Sequence, residues 1–269
     1  MIVHSFFGIE SPRFLFDIVL HAGTLFSVLV YFRKEIAVIL TGERKLLLFI
    51  ALGTVPAVLA ALIFADRIES FFESLKAVSV MLFVTGVWLF FGETAGRLRE
   101  RRGKLRKSPG WVSAILIGVA QGFALLPGIS RSGATISTGM MSGLKREEAF
   151  RFSFLLSIPA ITGAFFYKLK DFSSPAVWSE MGLYILGGAA AFITGLLTLR
   201  ILFTAVRRKK LYYFGIYCIL AGLTTFIFSP PPVQTELETG RDSVPRLERR
   251  PGKESSAAAS PRNFKARGH

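Results

Sequence analysis

The stretch LPGISRSGAT, residues 126–135, lies inside one of the most apolar parts of the chain, yet it holds a proline, two glycines, two serines, a threonine and an arginine. Pro127 and Gly128 should end a helix there, and a second short helix can begin around Ser130. The surrounding segment 111–142, WVSAILIGVAQGFALLPGISRSGATISTGMMS, is too long and too broken to be one span. It reads as a re-entrant helix–loop–helix hairpin, because non-helical backbone at membrane depth is tolerated only where protein or a water-filled cavity surrounds it.

The rest of the chain supplies the membrane setting. Its 269 residues are 51% hydrophobic, include 26 Phe and have a mean hydropathy of +0.48, far more apolar than a soluble domain of this length. Six runs approach the roughly 20 apolar residues of a spanning helix, at about 14–33, 46–65, 76–93, 149–167, 183–203 and 211–229. The fold class is therefore an all-α polytopic membrane protein with about six transmembrane helices and one re-entrant hairpin. Its single cysteine, Cys218, has no partner for an internal disulfide. The start, MIVHSFFGIESPRF, lacks the basic, apolar and small-residue succession of a signal peptide.

A net charge of +15 would fit nucleic acid, but the Lys and Arg residues fall in short clusters between apolar runs. Segments 33–45, 97–107 and 207–210 hold the main clusters, and the positive-inside rule wants all three in the cytoplasm. They reach it together only if 111–142 returns to its side of origin, which leaves both termini outside and removes any reason to expect a nucleic-acid partner.

A shift of 138 residues aligns Glu10 with Glu148, Arg13 with Arg151, Phe14 with Phe152, Phe16 with Phe154, Ala22 with Ala160 and Thr24 with Thr162. Three spans follow each copy, and an odd number inverts the second, the inverted-repeat arrangement that places sites near the midplane. The expected divisions are a first repeat at 1–93, a basic cytoplasmic loop at 94–110, a second repeat at 111–229 and a tail at 230–269. The same offset carries the hairpin back to positions before Met1, so the first hairpin is expected to be missing. The tail, rich in Pro, Ser, Ala and both charge signs, is expected to be disordered.

An arginine inside the membrane is costly and calls for an anionic partner. Arg131 can donate bidentate hydrogen bonds to a phosphate; Ser130, Ser132 and Thr135 add hydroxyls, and Gly128 and Gly133 let backbone N–H groups approach closely. A helix starting near Ser130 would aim its free N–H groups and positive dipole end at the same place. The alternative is that Arg131 snorkels to the interface and the small residues serve helix packing.

The PGISRSGAT run, Pro127 to Thr135, resembles the PGxSRSxxT signature of the undecaprenyl pyrophosphate phosphatase family, the bacitracin resistance proteins. The flanking QGFALLPGISRSGATISTGMMSGLKREEAFRFSFLLSIPAI and the early ESPRFLFDIVLHAGTLFSVLVYFRKE are similar to the family as well, so the resemblance spans roughly residues 1–229. It implies hydrolysis of a C55 polyprenyl diphosphate to the monophosphate and inorganic phosphate at the outer face of the bacterial inner membrane. That reaction recycles the lipid carrier for cell-wall synthesis. It also implies a catalytic set of Ser130, Arg131 and Thr135, beside the phosphate-holding set of Gly128, Arg131, Ser132 and Gly133 expected from the residues themselves. A divalent cation, Mg or Ca, would assist, with no ligand for it assigned.

The family's N-terminal hairpin, with its (E/Q)xxxE motif, Ser-rich loop and Gly-His pair, has no counterpart in this sequence. Metal-assisted hydrolysis wants carboxylates and a base, and 111–142 offers neither carboxylate nor histidine. Asp17 and His21, four apart on the first span, could bind a cation or simply hydrogen-bond neighbouring helices. His4 lies near the expected site. Glu147 and Glu148 suit the start of the fourth span, and Gln121 is a candidate hairpin contact. Two further readings stay open: a transporter or flippase of phosphorylated lipids, and an inactive fragment.

Overall fold

A backbone in hydrocarbon must satisfy its own N–H and C=O groups, and the apolar runs do so as helices. The computed structural model describes residues 13–42, 44–72, 74–169 and 181–228, and among these there are helices and no strands. In chain order they are α1 (Arg13–Tyr31), α2 (Arg33–Thr41), α3 (Arg44–Ile63), α4 (Ala65–Phe72), α5 (Leu75–Arg101), α6 (Trp111–Phe123), α7 (Arg131–Met141), α8 (Arg146–Leu169), α9 (Met181–Arg207) and α10 (Leu211–Ile227). Four of them, α3, α5, α8 and α9, are long and apolar enough to cross a membrane. With 19 and 17 residues, α1 and α10 sit near the lower end of the roughly 17 to 25 a span takes. The protein is an all-α polytopic membrane protein.

The third expected span ended near residue 93, but α5 continues to Arg101, which shortens the basic loop. Glu93 and Arg97 pair at 2.9 Å across one helical turn, and Arg99 and Arg101 sit at the negative end of the helix dipole. Most of the basic segment 33–45 is likewise helical, as α2. His4, Glu10, the side chain of Asp17 and the whole tail 230–269 lie outside the described residues.

Lipid tails are as apolar as leucine, so helices here associate through close packing of small residues. A Cβ placed on Gly118 of α6 would collide with the Gly53 carbonyl of α3, so these two backbones nearly touch. The pairs α1/α9, α3/α8 and α5/α10 also pack together. Matching α1 with α8, α3 with α9 and α5 with α10, as the 138-residue offset does, turns α1/α9 into α8/α3 and returns α5/α10 to itself. Lipid-facing positions carry bulky apolar groups such as Leu62, Ile185 and Phe228. Inside, Phe32, Phe150, Phe154 and Phe203 form a ring cluster, with Phe150 centred 4.7 Å from Phe154 and 5.2 Å from Phe203.

At the end of the bundle carrying the basic loops, buried Glu93 on α5 takes a 2.7 Å hydrogen bond from Arg146 at the start of α8. Arg97 donates to the Lys209 carbonyl in the α9–α10 turn, and the Lys209 ammonium lies 2.8 Å from Glu100. One acidic stripe on α5 thereby holds two other parts of the chain. Removing one member of a buried pair strands the other, which typically costs about 3–5 kcal/mol. Glu93→Ala should therefore lower the detergent melting temperature sharply; an unchanged melt would show that the network does not hold the bundle.

Candidate functional site

Between α6 and α7 the chain turns through residues 124–130. At about 1.5 Å per residue the 13 residues of α6 and 11 of α7 reach roughly 20 Å or less, short of a bilayer core. Each helix of this hairpin is therefore too short to span alone. The turn rests on α5. Gly128 has φ +92°, a left-handed conformation, and a Cβ there would strike the Val78 carbonyl, so both the dihedral and the contact require glycine.

Thr85 of α5, itself buried, clamps the turn from both sides. Its hydroxyl donates to the Gly128 carbonyl at 3.0 Å and accepts from the Ser130 N–H at 3.1 Å. Sequence reasoning missed this residue; the only signal was one of two hydroxyls, with Ser79, amid the apolar run 76–93.

Ser130 is the N-cap of α7, its Oγ accepting from the Gly133 N–H at 3.2 Å. With Gly133 capped, the N–H groups of Arg131 and Ser132 remain at the helix start without intrahelical acceptors. Gly128, Ser130, Arg131 and Ser132 are all half-buried at this tip, and Gly133 is buried just behind. The Arg131 guanidinium has no hydrogen-bond or ion-pair partner among the described residues. One cation, two free amides and the positive end of a helix thus share one half-open place, an arrangement suited to an anion.

Thr135 is placed differently. It has no exposed surface, and its hydroxyl donates to the Arg131 carbonyl at 2.8 Å and shares a short hydrogen bond with Ser153 of α8. The structure thus brings Ser130, Arg131 and Ser132 together and seals Thr135 one turn below, where it ties the first turn of α7 to α8. Trp88 adds a second tie, its indole N–H donating to Thr138 at 3.2 Å.

Other sequence candidates lie elsewhere. His21 is exposed on α1, and Glu147 and Glu148 occupy the first turn of α8. Gln121, in the last turn of α6, is buried with both amide atoms lacking a hydrogen-bond partner. Among the described residues no group of three or more His, Cys, Asp or Glu side chains could hold a metal ion. The tip itself offers hydroxyls, amides and a guanidinium, a set that does not fit a hard divalent cation, which takes carboxylate and carbonyl oxygens.

The family model described as bacitracin resistance protein BacA matches residues 1–224. The chain belongs to the BacA family. It is similar to the undecaprenyl-diphosphatase of Syntrophotalea carbinolica, 39% identical over 236 residues that cover 84% of this chain and 88% of that protein. The undecaprenyl-diphosphatase of Korarchaeum cryptofilum is 41% identical over 227 residues, covering 77% of this chain and 82% of that one. That of Rhodopirellula baltica is 37% identical over 231 residues, with 85% and 88% covered.

Two substitutions test how this BacA-family site is held. Thr85→Val keeps the shape but leaves the Gly128 carbonyl and Ser130 N–H without their partner, a loss of about 1–3 kcal/mol that Thr85→Ser should restore. A Val variant that melts like the wild type would show that the clamp is dispensable. Gln121→Leu removes an orphaned buried amide and should raise the melting temperature; a fall would mean that the amide is bonded after all.

Proposed function

We propose that this chain is an undecaprenyl-diphosphate phosphatase, in which water breaks the phosphoanhydride bond of a C55 polyprenyl diphosphate to give inorganic phosphate and the monophosphate. The observation that carries the reading is the Arg131 guanidinium, unpaired among the described residues, at the capped start of a short helix within a BacA-family chain. The relatives' shared name supports the substrate class. The transport reading is not favoured beside it.

In this mechanism Arg131 clamps the diphosphate with two parallel N–H donors, and the N–H groups of Arg131 and Ser132 meet the same oxygens. Ser130, whose Oγ already accepts from Gly133, keeps its O–H to donate outward, stabilising charge on the transferring group. Thr135 acts at one remove: by bonding the Arg131 carbonyl and Ser153 it fixes the direction from which the guanidinium leaves the helix. It is a positioning residue. A divalent cation, if used, needs oxygen donors that the described residues do not supply, so no step is routed through one.

The proposed setting is the bacterial inner membrane. The basic loops sit at the cytoplasmic end and the hairpin tip, packed on Val78 and Met81 near the other end of α5, opens toward the outer face. That placement matches a substrate presented as a diphosphate in the outer leaflet.

Phosphate release from C55 diphosphate in detergent tests the assignment. Arg131→Ala should lose at least about a hundredfold, as expected when a preorganised donor to developing charge is removed. Arg131→Lys should recover only part of it because the bidentate geometry is gone. Wild-type turnover in Arg131→Ala would remove the hairpin from the mechanism.

A further inference from the structure

A second anion-friendly place lies at the opposite end of the bundle. A cavity of about 480 Å³ opens between the start of α3, the loop before α6 and the first turns of α8. Four cations, Arg44, Lys45, Lys107 and Arg151, line it together with Ser108 and one carboxylate, Glu148. Glu148 lies 3.7 Å from Arg151, so the local acid is already engaged. The side chains of Arg44, Lys45 and Lys107 have no ion-pair partner among the described residues.

The placement of the first two runs against local electrostatics. Arg44 and Lys45 form the first turn of a 20-residue helix that carries no acid there, which sets two positive charges on the positive end of its dipole. Glu43 precedes them and lies outside the described residues. An anion in the cavity would relieve that repulsion, taking up the α3 amides and the three unpaired cations at once.

The walls decide what kind of anion. Leaving the cavity along α3, Leu46 is followed by Leu47 and Leu48, both exposed to lipid; leaving it along the loop, Pro109 is followed by Trp111, 66% exposed, and Val112. A tryptophan at such a level is characteristic of the headgroup boundary. A charged cavity whose rim passes directly into apolar, outward-facing side chains suits a molecule with a phosphate at one end and acyl chains at the other.

We propose that this cavity binds the headgroup phosphate of an anionic glycerophospholipid, with its acyl chains lying along Leu47, Leu48 and Trp111. The site is separate from the hairpin tip. Basic pockets between membrane helices on the cytoplasmic side are a recurring way to hold such headgroups.

The test measures binding, so it is independent of the proposed phosphatase activity. The full chain in neutral detergent is titrated with phosphatidylglycerol, phosphatidylcholine or inorganic phosphate, following lipid adducts by native mass spectrometry and the melting temperature. Phosphatidylglycerol should bind and raise the melt, phosphatidylcholine much less. The combined Arg44→Gln, Lys45→Gln and Lys107→Gln variant should bind at least about tenfold more weakly, since each cation at an anionic surface contributes about fivefold. A control carrying Arg207→Gln, Arg208→Gln and Lys210→Gln removes as much charge outside the cavity and should bind nearly as the wild type does. If the triple variant does not fold, Lys107→Gln alone, in an exposed loop, should still weaken binding severalfold. Equal losses in test and control variants, or no preference for phosphatidylglycerol, would overturn the site. Inorganic phosphate that displaces the lipid at equal concentration would overturn the lipid assignment.

Discussion

The hairpin tip depends on two hydrogen bonds to one hydroxyl. Breaking a helix at membrane depth frees backbone groups that have no water to turn to, and each one left unbonded costs stability. Thr85 answers for two of them, the Gly128 carbonyl and the Ser130 N–H. With the turn fixed there, α7 can begin at Ser130, and the beginning of α7 is what makes the tip attractive to an anion. The break in the helix and the proposed anion site are thus one feature seen from two sides.

Around that clamp the polar residues divide the work. Ser130 caps, Thr135 ties α7 to α8, and Trp88 holds Thr138, so hydroxyls that read alike in sequence are spent on positioning the helix. The Arg131 guanidinium keeps its donors uncommitted among the described residues. An unpaired cation is expensive in this setting, and its retention in a half-buried place is the physical reason to assign it to ligand. Gln121 raises the same question lower in the hairpin, where a buried amide without a partner lowers stability.

At the other end, charge is handled in two ways. Arg97 of α5, Arg146 of α8 and Lys209 of the α9–α10 turn are neutralised by Glu93 and Glu100, which locks the bundle. Along α3 and the loop before α6 the cations face a cavity instead. The same positive-inside pattern that sets orientation thus leaves charge unspent beside this cavity, and that contrast supports assigning a ligand to it.

From the sequence alone came the membrane class, the approximate spans and the hairpin, because hydropathy and helix breakers act locally and survive without knowledge of neighbours. The motif 127–135 likewise singled out the hairpin tip to which we assign an anion, since its proline, glycines, serines and arginine are adjacent in the chain. The extension of α5 to Arg101 was not legible: its polar last turns are stabilised by pairs with Arg146 and Lys209, more than forty residues away. Nor was the role of Thr85, which is 43 residues from the carbonyl it holds, or the burial of Thr135 against Ser153. Sequence reports which groups are costly in lipid; only the packing of α5, α7 and α8 decides which of them are repaid inside the protein and which are left to a ligand.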